Sequence, residues 1–479
     1  MTAGSSGRMT REDAFAIGRL DATGQAALVA RGELAPVELV EAAIIRIDAL
    51  DPALNALTFR DDGAALQRAK TVDGAMAGVP WLVKDGLDYP GMPTRSGSRS
   101  RRDAAAGTIA FPYTERLDEA GLVAIGKTNA PEFGLLPTTE PLLYGAARNP
   151  WALDRSPGGS SGGAAVAVGS GMVPLAHAAD GGGSIRIPAS NCGLVGLKPG
   201  RGGNVRARDP HIIEDLLVGD TLLSRSVRDV AWATAAAAQH IPAVTTPDRR
   251  RLRIAVIPES LDRGGPAPEV QEALDFAATL CAGLGHDVEL VPSPVDGPAV
   301  AAAFRTIWGY LARDSIRDAV SRLGASSATV LEPWTRDLAV WGSAIEAIDA
   351  DRLFGHVAAA GAALDAFFTD YDAILSPVLR LPALPIGALA PDRPFDEIMA
   401  LMFDYVSYTP LHNLTGLPAI SLPLYPGDAA GVPIGSMFAA ARGQEPMLLA
   451  LAYELEAAAP WSGRWPAHSI GAAPALTDA

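Results

Sequence analysis

Two serines and a lysine stand where acyl-transfer chemistry could be done without histidine. Ser160 lies in the run Gly158-Gly159-Ser160-Ser161-Gly162-Gly163, and Ser184 closes Asp180-Gly181-Gly182-Gly183-Ser184. In such turns backbone N–H groups can point into a cavity instead of pairing in a ladder, which is where a developing oxyanion is stabilised. Upstream, Lys84 ends the apolar, strand-like run Gly78-Val79-Pro80-Trp81-Leu82-Val83 and is therefore expected to be buried.

Competing readings of these residues are weaker. Gly158-Gly159-Ser160-Ser161-Gly162 also matches G-x-S-x-G, the nucleophile elbow of an α/β-hydrolase-like esterase, but that motif needs an apolar strand before it. Turn-forming Asn149-Pro150-Trp151-Ala152-Leu153-Asp154-Arg155-Ser156-Pro157 precedes it instead. No Gly-Lys-Ser/Thr closes the run, so it is not a phosphate loop. Among the seven histidines, His177 sits in an alanine-rich run and reads as packed, while His412 precedes Asn413 and could face a pocket. With no H-E-x-x-H and no cysteine–histidine cluster, neither a catalytic metal nor another cofactor is expected. Cys192 and Cys281 both lie in apolar surroundings and read as core residues.

The elements that must hold these groups alternate between helix and strand. Pro36 and Glu38 suit a first helical turn, and Leu39, Val40, Ala43, Ile44, Ile47 and Leu50 follow at helical spacing. Strands are expected at 79–83 and 122–125, and an alanine-rich helix at 226–239. A βαβ-type unit is expected from a strand at 253–257, a helix at 268–282 and a strand at 287–291. A helical region then runs to Leu364, before a strand at 373–375. The polar segment 201–210 reads as a surface loop, and 201–217 as a lid beside the entrance. The fold class is α/β, with a central mixed, twisted sheet covered by helices on both faces. One domain is expected over 10–465, with a catalytic core at about 65–240, a substrate-lining part at about 250–465, and loose ends at 1–9 and 466–479.

The 479 residues are 48% hydrophobic and 19% charged, with a formal net charge of −15, as expected of an ordered globular chain. An acidic chain gains nothing from counterion release on phosphates, so nucleic acid is not an expected partner. No uninterrupted apolar run is long enough to span a bilayer, and the N-terminus lacks the apolar core of a secretory signal; a cytoplasmic location is expected, without a membrane partner.

The ordered blocks resemble those of the amidase signature family. Ser156–Gly163 matches its first block. Asp180–Ala189 matches the second, which runs on into Gly193-Leu194-Val195-Gly196-Leu197-Lys198-Pro199. Lys84-Asp85, Gly126-Lys127-Thr128-Asn129, Gly416-Leu417-Pro418-Ala419 and Gly431-Val432-Pro433-Ile434-Gly435 fill the rest, so the likeness extends from about residue 20 to 460. The resemblance implies a Ser-cisSer-Lys triad: Ser184 as nucleophile, Ser160 as bridging serine on a cis Gly159–Ser160 peptide, and Lys84 as base. A serine hydroxyl is a poor nucleophile until a base takes its proton, and burial lets a lysine be that base. The resemblance also implies an oxyanion hole from the backbone N–H groups of Gly181, Gly182, Gly183 and Ser184. Asp180 and Arg186 would order the loops, and Ser161 would support the triad or cap a helix. Gly181 departs from the commoner pattern, in which a hydroxyl-bearing or branched residue stands there.

On the substrate side, Gly134, Leu135 and Leu136 are implied to line the channel by their place in the family, and Phe304, Trp308 and Tyr310 are candidates for an apolar wall. Few charges occur among these residues, which favours a neutral amide, anilide or carbamate. Glu132-Phe133-Gly134 and Thr138-Thr139-Glu140 bring the chain nearest to broad amidases resembling cyclic nylon-oligomer hydrolases, aryl acylamidases and urethanases. The expected partner is thus a small amide or carbamate, with ester side activity and a homodimer left open. The rival within the family is the A subunit of a tRNA-dependent amidotransferase, acting as a glutaminase with partner subunits; no acidic anchor for an ammonium stands out.

Overall fold

The computed structural model describes residues 9–472 apart from 249 and 346. Among the described residues eleven strands form two mixed sheets. The first has the order β1-β3-β2-β4-β6, with β1 at Leu57–Arg60, β2 at Pro80–Lys84, β3 at Val123–Thr128, β4 at Leu175–Asp180 and β6 at Gly219–Leu223. Its centre, β3-β2-β4, is parallel, while β1 and β6 close the edges antiparallel. Parallel strands are covered on both faces and so read as continuous apolar runs; Pro80-Trp81-Leu82-Val83-Lys84 is buried at every position.

The second sheet has the order β5-β10-β11-β9-β7-β8. It consists of β5 at Gly196–Lys198, β7 at Arg253–Val256, β8 at Asp287–Leu290, β9 at Ala373–Pro377, β10 at Ala419–Tyr425 and β11 at Ile434–Ala440. β7 and β8 are parallel and joined through the helix Pro268–Gly283, as the βαβ pattern requires. An antiparallel bridge between Val195 and Ser224 stitches the two sheets together just beyond β5 and β6. The expected central mixed sheet is therefore built in two hydrogen-bonded pieces, with helices on both sides.

Because β2, β3 and β4 run in the same direction, their carboxyl ends open on one edge, the place where parallel sheets present ligand-binding loops. Lys84 ends β2, Asp180 ends β4, and the segment after Thr128 leads into 129–142. The helix Gly162–Gly169 starts beside this edge and is wholly buried. Its first turn is pressed against its neighbours: a Cβ on Gly163 would stand 2.4 Å from the backbone N of Asn129. Over the edge lie the helices Gly297–Leu323 and Pro333–Ser343, whose Phe304, Trp308 and Trp334 belong to one large apolar core with Leu135, Leu136 and Ile187.

Part of the expected loose C-terminal end is ordered. His468 N donates to Pro150 O (3.1 Å) and Ile470 N to Ser170 O (3.0 Å), and the Ile470 side chain is fully buried. Ile470 and Trp465 both pack close to Gly171, and this apolar burial anchors the stretch. The remainder of the expected ends, 1–8 and 473–479, lies outside the described residues. No helix among the described residues is long and apolar enough to cross a membrane.

Candidate active site

Lys84 is buried, and its Nζ donates to Ser160 Oγ at 2.7 Å and to Ala179 O at 3.3 Å. No carboxylate bonds it among the described residues. Burial first, and the charge of Arg208 second, lower its pKa to about 7, against the opposing pull of Asp180 and Asp220. The amine is thus neutral over the upper half of the physiological range. Ser160 follows a cis peptide bond from Gly159. Ser161 makes no side-chain cap to the helix that it precedes. Its Oγ instead meets the backbone of Ala179, accepting from N at 3.3 Å and donating to O at 3.4 Å, which ties the helix start to the end of β4.

The loop that carries Ser184 is organised by a fully buried ion pair. Arg186 donates from Nε to Asp180 Oδ2 (2.9 Å) and from Nη2 to Oδ1 (3.0 Å). Asn413 Nδ2 adds a bond to Oδ1 at 2.8 Å, and Arg186 Nη2 also reaches Asn413 Oδ1 at 2.6 Å. Burial alone would raise the Asp180 pKa, but Arg186 overrides it and holds the carboxyl well below the usual range. The same carboxylate accepts from Gly183 N (2.6 Å) and Ile185 N (3.2 Å). This corrects the expected four-amide oxyanion hole, because the Gly183 N–H is already committed to Asp180. The backbone N–H groups of Gly181, Gly182 and Ser184 make no hydrogen bond among the described residues. Gly183 has a second role: its φ is +140°, and a Cβ there would meet Thr409 Oγ1 at 2.4 Å, on the hydroxyl that donates to Gly182 O at 2.6 Å.

Ser184 is 7% exposed, and its hydroxyl has no hydrogen-bond partner among the described residues. It faces a cavity of about 240 Å³ shared with Lys84, Ser160, Gly181, Gly134 and Leu135. A small apolar pocket, formed by Leu136, Phe304, Trp308 and Phe403 among others, opens on its other side. The indole N–H groups of Trp308 and Trp334 both donate to Leu135 O, at 3.1 and 3.2 Å, and so pin the wall that Gly134 and Leu135 form. Tyr310 lines neither cavity; its ring lies under the Arg313 guanidinium.

Besides Lys84, four charged residues line the larger cavity: Asp85, Arg101, Arg208 and Glu214. Arg208 corrects the reading of 201–210 as a plain surface loop, since Ala207 is buried and Arg208 turns inward onto Asp220. His177 is packed as expected, with Nε2 3.0 Å from Asp220 Oδ1. His412 lies against Arg186 (Nδ1 to Nη1, 3.2 Å) and lines a separate small cavity, away from Ser184. A pairing such as Arg208–Asp220 leaves no sequence signal, because the loop partner and the strand partner meet only in the fold. Among the described residues no group of histidine, cysteine and carboxylate side chains could hold a metal ion.

With this geometry in place, comparison with known proteins is decisive for the family. The Amidase family model matches residues 38–449. The chain belongs to the amidase signature family. It is 39% identical to a putative amidase AmiC of Mycobacterium leprae, over 95% of this chain and 99% of the relative. It is 33% identical to a 6-aminohexanoate-cyclic-dimer hydrolase of Paenarthrobacter ureafaciens, over 93% of this chain and 96% of the relative. A solved structure of 6-aminohexanoate cyclic dimer hydrolase complexed with substrate superposes with a TM-score of 0.86 at 30% identity, covering 94% of this chain and 99% of that one.

Proposed function

We propose that this amidase cleaves the C–N bond of small neutral amides, anilides or carbamates through an acyl-enzyme on Ser184. The observation that carries this reading is the 2.7 Å bond from a lysine without a carboxylate partner to Ser160, in the cavity that also holds a free Ser184 hydroxyl. Lys84 takes the proton of Ser160 as Ser160 takes that of Ser184, and Ser184 Oγ attacks the carbonyl carbon. The carbonyl π electrons move to oxygen, where the N–H groups of Gly181, Gly182 and Ser184 receive the charge. Collapse of this intermediate breaks the C–N bond, and the proton returns through Ser160 to the departing nitrogen. Water then attacks the Ser184 ester by the same route and releases the acid; a carbamate would form a carbamoyl-enzyme instead.

Neutral substrates are supported by the apolar pocket beside Ser184 and by the 6-aminohexanoate-cyclic-dimer hydrolases among the relatives. Asp180 and Arg186 order the loop, and Gly134, Leu135 and Leu136 form the substrate wall. The test is release of aniline from a neutral anilide. Ser184→Ala and Lys84→Ala should each lower kcat by about 10³-fold or more, and full turnover in either variant would remove the triad.

A further inference from the structure

We propose that Arg208 is a positioning residue for the reaction: by holding Asp220 it keeps that carboxylate from pairing with Lys84, and so leaves the lysine free to act as a base. The inference rests on the assignment of Lys84 as that base.

The geometry carries it. Two carboxylates on the strands beside Lys84, one on Asp180 and one on Asp220 opposite Ala179 (whose carbonyl accepts from Lys84 Nζ), favour its charged form, and each is claimed by an arginine. Asp180 at the end of β4 is bonded by two nitrogens of Arg186. Asp220 on β6, paired in register with Ala179, accepts from Arg208 Nη2 and lies 3.0 Å from His177 Nε2, through the same oxygen. Asp220 is buried and Arg208 half-buried, and the arginine lines the cavity that contains Lys84, Ser160 and Ser184. Arg208 is itself held by its segment. Arg206 bonds Asp215 at 3.2 Å, Arg208 Nε lies 3.7 Å from Glu214, and Arg201 donates to Leu216 O and Leu414 O at 2.9 and 2.7 Å.

An ammonium beside an unclaimed buried carboxylate stays protonated, because an opposite charge favours the charged form. The groups that face Lys84 are His177, Asp180 and Asp220 from the sheet, and Arg208 and Glu214 from the 201–217 segment; Arg101 and the buried Asp85, whose Oδ1 accepts from Arg95 N at 2.7 Å, line the same cavity. His177 is kept neutral by burial, despite Asp220. Asp180 stays with Arg186 whatever happens at Arg208. Arg208 holds both Asp220 and Glu214, and of these two Asp220 is the one that acts on the charge of Lys84; the charge of Arg208 independently disfavours the lysinium.

The test is the pH profile of kcat/KM for a neutral anilide. The wild type should lose activity as pH falls through about 7. Arg208→Gln should move that limb up by about one pH unit or more, Asp220→Asn should move it down, and the double variant should bring it back towards the wild type. Arg208→Lys, which keeps the charge, should leave it near the wild-type position. Either single variant decides the sign by itself if the other does not fold. Loss of activity at every pH with the limb unmoved in both single variants would overturn the proposal and leave a purely structural role. A wild type that turns over the anilide through Ser184 without any limb near pH 7 would instead overturn the assignment of Lys84 as base.

Discussion

Lys84 is held in a setting that strips water from its amine and hydrogen-bonds it to a hydroxyl and a carbonyl but, among the described residues, to no carboxylate. The consequence is a pH dependence of definite sign. The amine is neutral above about 7 and protonated below it, so with Lys84 as the proposed base kcat/KM should rise with pH up to that point and level off. Asp180 shows the opposite economy of charge, being ionised and fully paired. Replacing it with asparagine leaves Arg186 buried without its counter-charge, and a broken buried pair costs about 3–5 kcal/mol. Asp180→Asn is thus expected to lower the urea midpoint clearly as well as the turnover. An unchanged midpoint would mean that the Ser184 loop does not depend on this pair.

At the scale of elements, three loops at the carboxyl ends of β2, β3 and β4 make the site, and their anchors lie in distant helices. Glu132, before the Gly134–Leu136 wall, and Glu332, before the helix Pro333–Ser343, are both buried: Glu332 N donates to Glu132 Oε2 at 2.9 Å, and Leu142 N to Glu332 Oε1 at 2.6 Å. Burial first, and the neighbouring Glu132 second, push the Glu332 carboxyl up to about 8. A carboxyl whose folded pKa is raised contributes stability that is whole below the unfolded value and is lost as pH rises through the folded one. Thermal stability should therefore fall as pH rises from about 4.5 to about 8 and level off above that, and Glu332→Gln should flatten that fall; an identical decline in the variant would place its cause elsewhere.

The same scale shows what sequence could and could not supply. The helix that starts at Pro36, the strand run ending at Lys84 and the βαβ unit were legible, because burial imposes periodicity on contiguous residues, whereas the strand Leu175–Asp180 was not told apart from the alanine-rich run before it. The two serines and the lysine were legible through their glycine-rich and apolar contexts. The Arg208–Asp220 pair, the Glu132–Glu332 pair and the commitment of Gly183 N–H to Asp180 were not, since each depends on side chains or loops brought together by tertiary packing. Tyr310 shows the converse: it shares a helix with Phe304 and Trp308, but its place in the helical turn points it towards Arg313.

Over the whole molecule, two sheets meet at the Val195–Ser224 bridge, and the C-terminal stretch returns to the turn at Ser170–Gly171 before β4 and to the first helix at Gly18. Ile470 stands against Gly18 and Gly171 with no exposed surface. Ile470→Ala should cost about 2–5 kcal/mol in urea unfolding, the range for large-to-small changes in a core; a loss of a few tenths would mean that the stretch contributes little to the fold.

The claim on which everything else depends is that Ser184 becomes acylated. The most direct measurement is intact-protein mass after brief exposure to a sulfonyl fluoride, with peptide mapping of the adduct, on the wild type and on Ser184→Ala. One adduct per chain, mapped to Ser184, absent from the variant and formed in step with loss of anilide hydrolysis, is the expected result. An adduct on Ser160, or hydrolysis that continues with Ser184 fully modified, would contradict it.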